Sequence, residues 1–236
     1  MAIIMVRINR YLKYIIFSVI FTNSVLFSDI ANAANAEEKN ISGARDYVTR
    51  VSEDILEIVN DVNISEQEKE NYLSKLFDAH VDTGWMGQFI LGKYNRTITD
   101  AQRNEYIPLY HEYLKRSYIP KFKLYSGENY NIIRAKDKGR DNFLVKVAIV
   151  SDKANSDVNV DYRLNYKDGK GFVIRDIVGE GVSLIVTQRS DFGAMIKKKG
   201  IEFFIKKLSE KVESMGSSTI TDDDSSKKDK IAEAAG

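Results

Sequence analysis

Residues 158–177 read VNVDYRLNYKDGKGFVIRDI, and this stretch decides the fold. Val158, Val160, Tyr162, Leu164 and Tyr166 alternate with Asn159, Asp161, Arg163 and Asn165, the period of two that gives a strand one apolar and one polar face. Lys167-Asp168-Gly169-Lys170 supplies a hairpin turn, and Phe172, Ile174 and Asp176 alternate with Val173, Arg175 and Ile177 on the return. Working outward, Phe143, Val145, Val147 and Ile149 alternate with Leu144, Lys146, Ala148 and Val150, and Asn129–Ala135 reads as a weaker strand. On the far side, Gly179-Glu180-Gly181 marks a kink or bulge before a further strand over Val182–Thr187.

Either side of this meander the period is helical. Ala44, Tyr47, Val48, Val51, Ile55, Ile58 and Val59 recur every three or four residues through 41–60, with charged residues between them. Ser65-x-x-Glu68 reads as a capping box opening a second helix whose inner face is Tyr72, Leu73, Leu76 and Phe77. A third covers Trp85–Leu91. Thr99-x-x-Gln102 opens a fourth, with the stripe Tyr106, Leu109, Tyr110, Tyr113, Leu114 and Ser117, and Pro120 ends it. Helix returns near Ser190 and pauses at Gly200. Helices, then an antiparallel meander, then helices predict an α+β fold with a sheet of about four to five strands.

The N-terminus predicts export. Arg7, Arg10 and Lys13 precede the apolar run YIIFSVIFTNSVLF at 14–27, too short for the ~20 residues a membrane helix needs. Ala31-Asn32-Ala33 then offers a small-x-small cleavage site, so residues 1–33 are expected to be a signal peptide. A domain is expected over 37–213, and the Ser-, Asp- and Lys-rich residues 214–236 as a polar tail.

Charge narrows the function. The formal net charge is +1, and the charged residues of 1–33 sum to +2, leaving −1 from Ala34 onward. Such a chain lacks the basic footprint for nucleic acid and the polybasic cluster for anionic lipid. With no cysteine, thiol nucleophiles and thiolate metal sites are excluded. His80 and His111 stand without metal-ligand spacing, no Gly-x-Ser-x-Gly elbow occurs, and Gly179-x-Gly181 precedes a strand where a phosphate loop would open a helix. No catalytic residue, metal or cofactor is expected. Two rivals stay open at this point. A small enzyme on a cone-like α+β fold would gather polar groups around Asp82 or His80, and an adaptor would show a filled core and an exposed apolar patch.

The order of short motifs resembles the MlaC family of phospholipid-binding proteins, also called toluene-tolerance proteins. MGQFILGKYNR at 86–96, Thr99-x-x-Gln102-Arg103-x-Glu105-Tyr106 and Leu114-x-Arg116-Ser117-Tyr118 carry the first half. Tyr162-x-Leu164, Asp176-Ile177, EGVSL at 180–184, Arg189-x-x-Phe192, Ile196, Gly200-Ile201 and Leu208 carry the second. The resemblance, over about residues 45–210, implies a curved sheet enclosed by helices around an apolar lipid cavity. It also implies a periplasmic carrier that takes phospholipid between an outer-membrane lipoprotein complex of MlaA type and an inner-membrane ABC transporter with a MlaD-type ring. Within that expectation, the cavity wall is assigned to Trp85, Phe89, Tyr106, Tyr110, Tyr113, Val147, Ile149, Tyr162 and Leu184, with Ser183 and Arg189 on the rim. The Gly179–Gly181 kink and the helices around Trp85 are expected to supply the flexibility that opens the cavity.

Overall fold

A computed structural model describes residues 38–124, 129–150 and 157–217. The signal peptide and most of the polar tail expected from the sequence lie outside these residues. Four helices come first: α1 (Ile41–Asn60), α2 (Glu66–His80), α3 (Thr83–Leu91) and α4 (Asp100–Tyr118). Strands β1 (Asn129–Gly139), β2 (Asn142–Val150), β3 (Val158–Lys167), β4 (Gly171–Gly179) and β5 (Val182–Ser183) follow, then α5 (Leu184–Lys199) and α6 (Ile201–Ser217). The strands form one antiparallel sheet in the order β1-β2-β3-β4-β5. It is an open α+β fold, as the alternation predicts.

Local chemistry sets the helix limits. Ser65 and Glu68 form the expected capping box on α2, and Thr99 and Gln102 form that on α4, each satisfying two orphan donors of a first turn. α4 runs through Pro108, which is exposed, so the hydrogen bond its ring removes is lost on the solvent side. The backbone does not stop at Pro120 but tightens into a 3-10 turn over Ile119–Leu124. α6 continues to Ser217, past the residue where the tail was expected to begin.

Three expectations are corrected. Val182–Thr187 is not a strand: only Val182 and Ser183 pair with β4, and α5 begins at Leu184, well before Ser190. The reason is Ser183, whose Oγ accepts from the Val186 amide 3.2 Å away and caps the helix. Gly179-Glu180-Gly181 belongs to a two-residue hairpin turn with φ of +47° at Glu180 and +82° at Gly181, so the chain reverses there. Tyr72 is 45% exposed and leaves the inner face of α2 to Leu73, Leu76 and Phe77.

The apolar residues form two separate cores. In one, Met86, Ile90, Tyr106, Tyr110, Leu114, Ile185, Ile196 and Phe204 join α3, α4, α5 and α6. Gly87 permits this packing, since a Cβ there would lie 2.9 Å from Ile107 Cδ1 and 3.2 Å from the Tyr110 ring. In the other, Ala44, Tyr47, Val48 and Val51 of α1 cover Phe143, Val145, Val147, Leu164, Phe172 and Ile174 of the sheet. The layer over Val145, Val147 and Leu164 is therefore α1. Gly43 and Ala44, both buried, let α1 come close.

Asp176 ties the sheet to α5. Its side chain is 1% exposed and accepts from Ser183 Oγ at 2.6 Å, the Ile185 amide at 3.2 Å and Arg163 Nη1 at 3.1 Å. A carboxylate at a helix N-terminus also meets the positive end of the helix dipole. Removing it strands Arg163 and two donors, so Asp176→Ala should lower unfolding stability by about 3 kcal/mol. Ser183→Ala should cost about 1 kcal/mol; urea denaturation of the two variants checks the ranking.

Candidate functional site

Between the two cores lies a cavity of about 630 Å3. Val51 and Ile55 of α1 and Leu73, Leu76, Phe77 and His80 of α2 line it on one side. Met86, Leu114, Tyr118, Ile119 and Phe122 close another, and Tyr162, Ile174, Ile177, Gly179, Val182, Leu184 and Thr187 bring in β3, β4, β5 and α5. The lining is overwhelmingly aliphatic and aromatic, with His80, Lys121, Asp176 and Thr187 as its polar members. Both cores contribute wall residues, Val51 and Ile174 from the sheet side and Met86 and Leu114 from the helical side.

A register shift in the sheet shapes this wall. Arg163 pairs with Asp176 while Leu164 pairs with Ile174, so Arg175 is the extra residue of a bulge. Alternation is broken there, and Ile174 and Ile177, three apart, both border the hollow. Tyr162, opposite Ile177, is only half-buried although burial pushes its phenol pKa up. Tyr162 is one of the residues that line the cavity. Lining residues that reach solvent are Ile177, Val182 (62% exposed) and Thr187 at the β4–β5–α5 corner, and Lys121 beside Tyr118. Val186, 52% exposed, extends the apolar lip one turn into α5.

A smaller cavity of about 220 Å3 shares Leu73, Ile119 and Phe122 with the large one and adds Val59, Glu66, Lys69 and Glu70. Lys69 is held there by Glu66 at 3.1 Å and by the Val59 carbonyl at 3.1 Å.

Of the wall residues expected from sequence, the structure places Tyr162 and Leu184 on the large cavity. Tyr106 and Tyr110 are fully buried in the helical core, with Tyr113 packed against it. Tyr106 Oη donates to the Gly87 carbonyl and Tyr110 Oη to Gln188 Oε1 at 2.7 Å, and burial raises both phenol pKa values far above the usual range. Val147 lies in the core under α1, and Ile149 pairs with Tyr130 and Val158 across the sheet. Trp85 and Phe89 stack at 5.2 Å and are bracketed by Arg175, 4.7 Å from the Trp85 ring, and Arg189, 4.8 Å from the Phe89 ring. Arg189 also donates to the Phe89 carbonyl, and Ser183 is the α5 cap. The sequence reading missed the α1 and α2 wall. Core and cavity positions use the same residue types, and no spacing separates them.

The polar groups singled out in the sequence are engaged in structural bonds. Asp82 caps α3 and meets Lys167 Nζ at 2.7 Å and Arg175 Nε at 2.9 Å. Burial opposes its charged form, but the bonds and charges of Lys167 and Arg175 outweigh that and hold its pKa below the carboxylate norm. His80 borders the cavity with its Nδ1 3.1 Å from Tyr47 Oη, while His111 bridges Thr83 and Asp78. Among the described residues no three His, Cys, Asp or Glu side chains gather as a metal site, and no helix is long and apolar enough to cross a membrane.

Comparison with known proteins agrees with this architecture. The family model described as MlaC protein matches residues 49–210. A curated relative, the intermembrane phospholipid transport system binding protein MlaC of Haemophilus influenzae, is 24% identical over 132 residues, 55% of this chain and 61% of that protein. The alignment thus spans less than two thirds of the relative. The solved structure of the phospholipid-binding protein from Ralstonia solanacearum, in complex with a phospholipid, superposes with a TM-score of 0.61 at 19% identity, over 72% of this chain and 96% of that one.

The Asp82 bonds give a pH signature. A depressed folded pKa stabilises above the ordinary carboxylate value of about 4 and loses that contribution as pH falls through the lower folded value. The stability gap between wild type and Asp82→Asn should therefore be widest near neutrality and narrow as pH falls below about 4 in urea titrations.

Proposed function

Since the chain belongs to the MlaC family, we propose that it is a periplasmic carrier that hides phospholipid acyl chains in the large cavity and passes them between membranes. The observation that carries the reading is the hollow itself: about 630 Å3 of apolar space between two closed cores. A hydrocarbon tail gains roughly 0.8 kcal/mol per methylene on leaving water. Tails buried in the hollow reach solvent along the lip at Ile177, Val182 and Val186.

Binding in place of catalysis is favoured by the same residues. Asp82 is committed to Lys167 and Arg175. The cavity's own carboxylate, Asp176, is spent on Arg163, Ser183 and the Ile185 amide. An outer-membrane complex of MlaA type and an inner-membrane transporter of MlaD type are the partners this reading calls for, because cargo held by so much apolar burial leaves only when another apolar site is offered. The residues proposed to touch the tails are Tyr162 and Leu184, joined by Val51, Ile55, Leu76, Ile174 and Ile177.

Organic extraction of gently purified protein followed by mass spectrometry should recover near-stoichiometric phospholipid; an empty cavity in every preparation would overturn the carrier. Ile55→Trp adds about two methylenes of bulk to the hollow, and bound phospholipid should fall roughly tenfold. Its melting temperature should stay close to wild type, because Ile55 is only half-buried and borders the cavity, where no packed side chain must move.

A further inference from the structure

We infer that Lys121 anchors the lipid phosphate at the rim of the cavity, an inference that rests on the carrier reading and specifies which part of the head group is held. Lys121 is the one lysine or arginine among the described residues lining the large cavity, and it is exposed. It follows Pro120 on the 3-10 turn that leaves α4, where Tyr118, Ile119 and Phe122 form the wall. Its Nζ stands 4.8 Å from the centre of the Tyr118 ring. A cation held over a ring face keeps its other hemisphere for an anion, and the Tyr118 ring itself borders the apolar space.

Several other described cations near the wall are already engaged. Arg163 bonds Asp176, Lys167 and Arg175 share Asp82, Lys69 is held by Glu66 and the Val59 carbonyl, and Lys115 pairs with Asp78. Arg189 is bound to the Phe89 carbonyl and stacked on its ring. Lys121 has no ion pair or hydrogen bond among the described residues, only the ring contact. A lipid whose tails fill the hollow must bring its phosphodiester to a solvent-reaching part of the wall. At Lys121 that negative charge finds an unpaired ammonium on a flexible stem. The adjoining small cavity, with Glu66 and Glu70, would repel it. The same contact serves every phosphatidyl lipid, so it distinguishes phosphorylated from unphosphorylated lipids without selecting among head groups.

The test compares phosphatidylglycerol with diacylglycerol bearing identical acyl chains, each taken up from vesicles by the mature chain. Wild type should favour phosphatidylglycerol. Lys121→Met should reduce that preference roughly tenfold while leaving diacylglycerol uptake and melting temperature unchanged. Lys121→Arg should restore the preference and Lys121→Glu should lower it further. Glycerol 3-phosphate without tails should neither bind below millimolar concentration nor compete, which separates a lipid phosphate from a free one. An unaltered preference in Lys121→Met, or an equal loss of both lipids, overturns the anchor. Wild type that takes up both lipids equally also overturns it and leaves the carrier standing; wild type that takes up neither refutes both.

Discussion

Two apolar cores, each complete in itself, leave a space that no side chain fills, and this constraint governs the rest of the molecule. α1 satisfies the sheet through Tyr47, Val48 and Val51, and the tyrosines of α4 satisfy α3, α5 and α6. Collapse of the hollow would require one of these packed units to give up its own contacts, and close-packed interiors resist such rearrangement. The space persists because its walls are held from behind. Asp176 is the main tie between the two units: it sits on a sheet strand and fixes the first turn of a helix from the other core.

That division explains how far the sequence could be read. The strands at 142–150, 158–167 and 171–179 and the capping boxes at Ser65 and Thr99 were legible because each follows from local spacing. The start of α5 was not. Val182–Thr187 carries four β-branched residues, and Ser183, which accepts from the Val186 amide and donates to Asp176 seven residues back in sequence, turns it into a capped helix. The residues expected on the wall and those that line the cavity differ for a related reason. Trp85 and Phe89 stack on one helix and Tyr106 and Tyr110 on another, yet an aromatic pair records that a face is covered, not by what. Val51, Ile55 and Leu76 carried no mark beyond ordinary helical period. The bulge at Arg175, which brings Ile174 and Ile177 to the same hollow, has no signature in the residues themselves.

The charged groups follow a consistent division of labour. Asp82 gathers Lys167 and Arg175, and Arg175 in turn covers Trp85, so a strand, a hairpin turn and the start of α3 are locked by one cluster. Asp78 does the same for His111 and Lys115 on α4. These clusters ring the cavity from outside and leave its interior with little polar surface. A hydrophobic interior framed by satisfied ion pairs suits the apolar cargo of the proposed carrier.

The position of the wall residues has an evolutionary consequence. Ile55, Leu76, Ile177, Val182 and Thr187 border the hollow but stand outside both sets of fully buried side chains. Mutations at such sites change the room available to a guest while drawing little on the reserve of folding free energy. A lineage can therefore widen, shorten or re-shape its container by drift at a few tolerant positions, and the scaffold that holds the container open is spared the compromise usually struck between solidity and innovation.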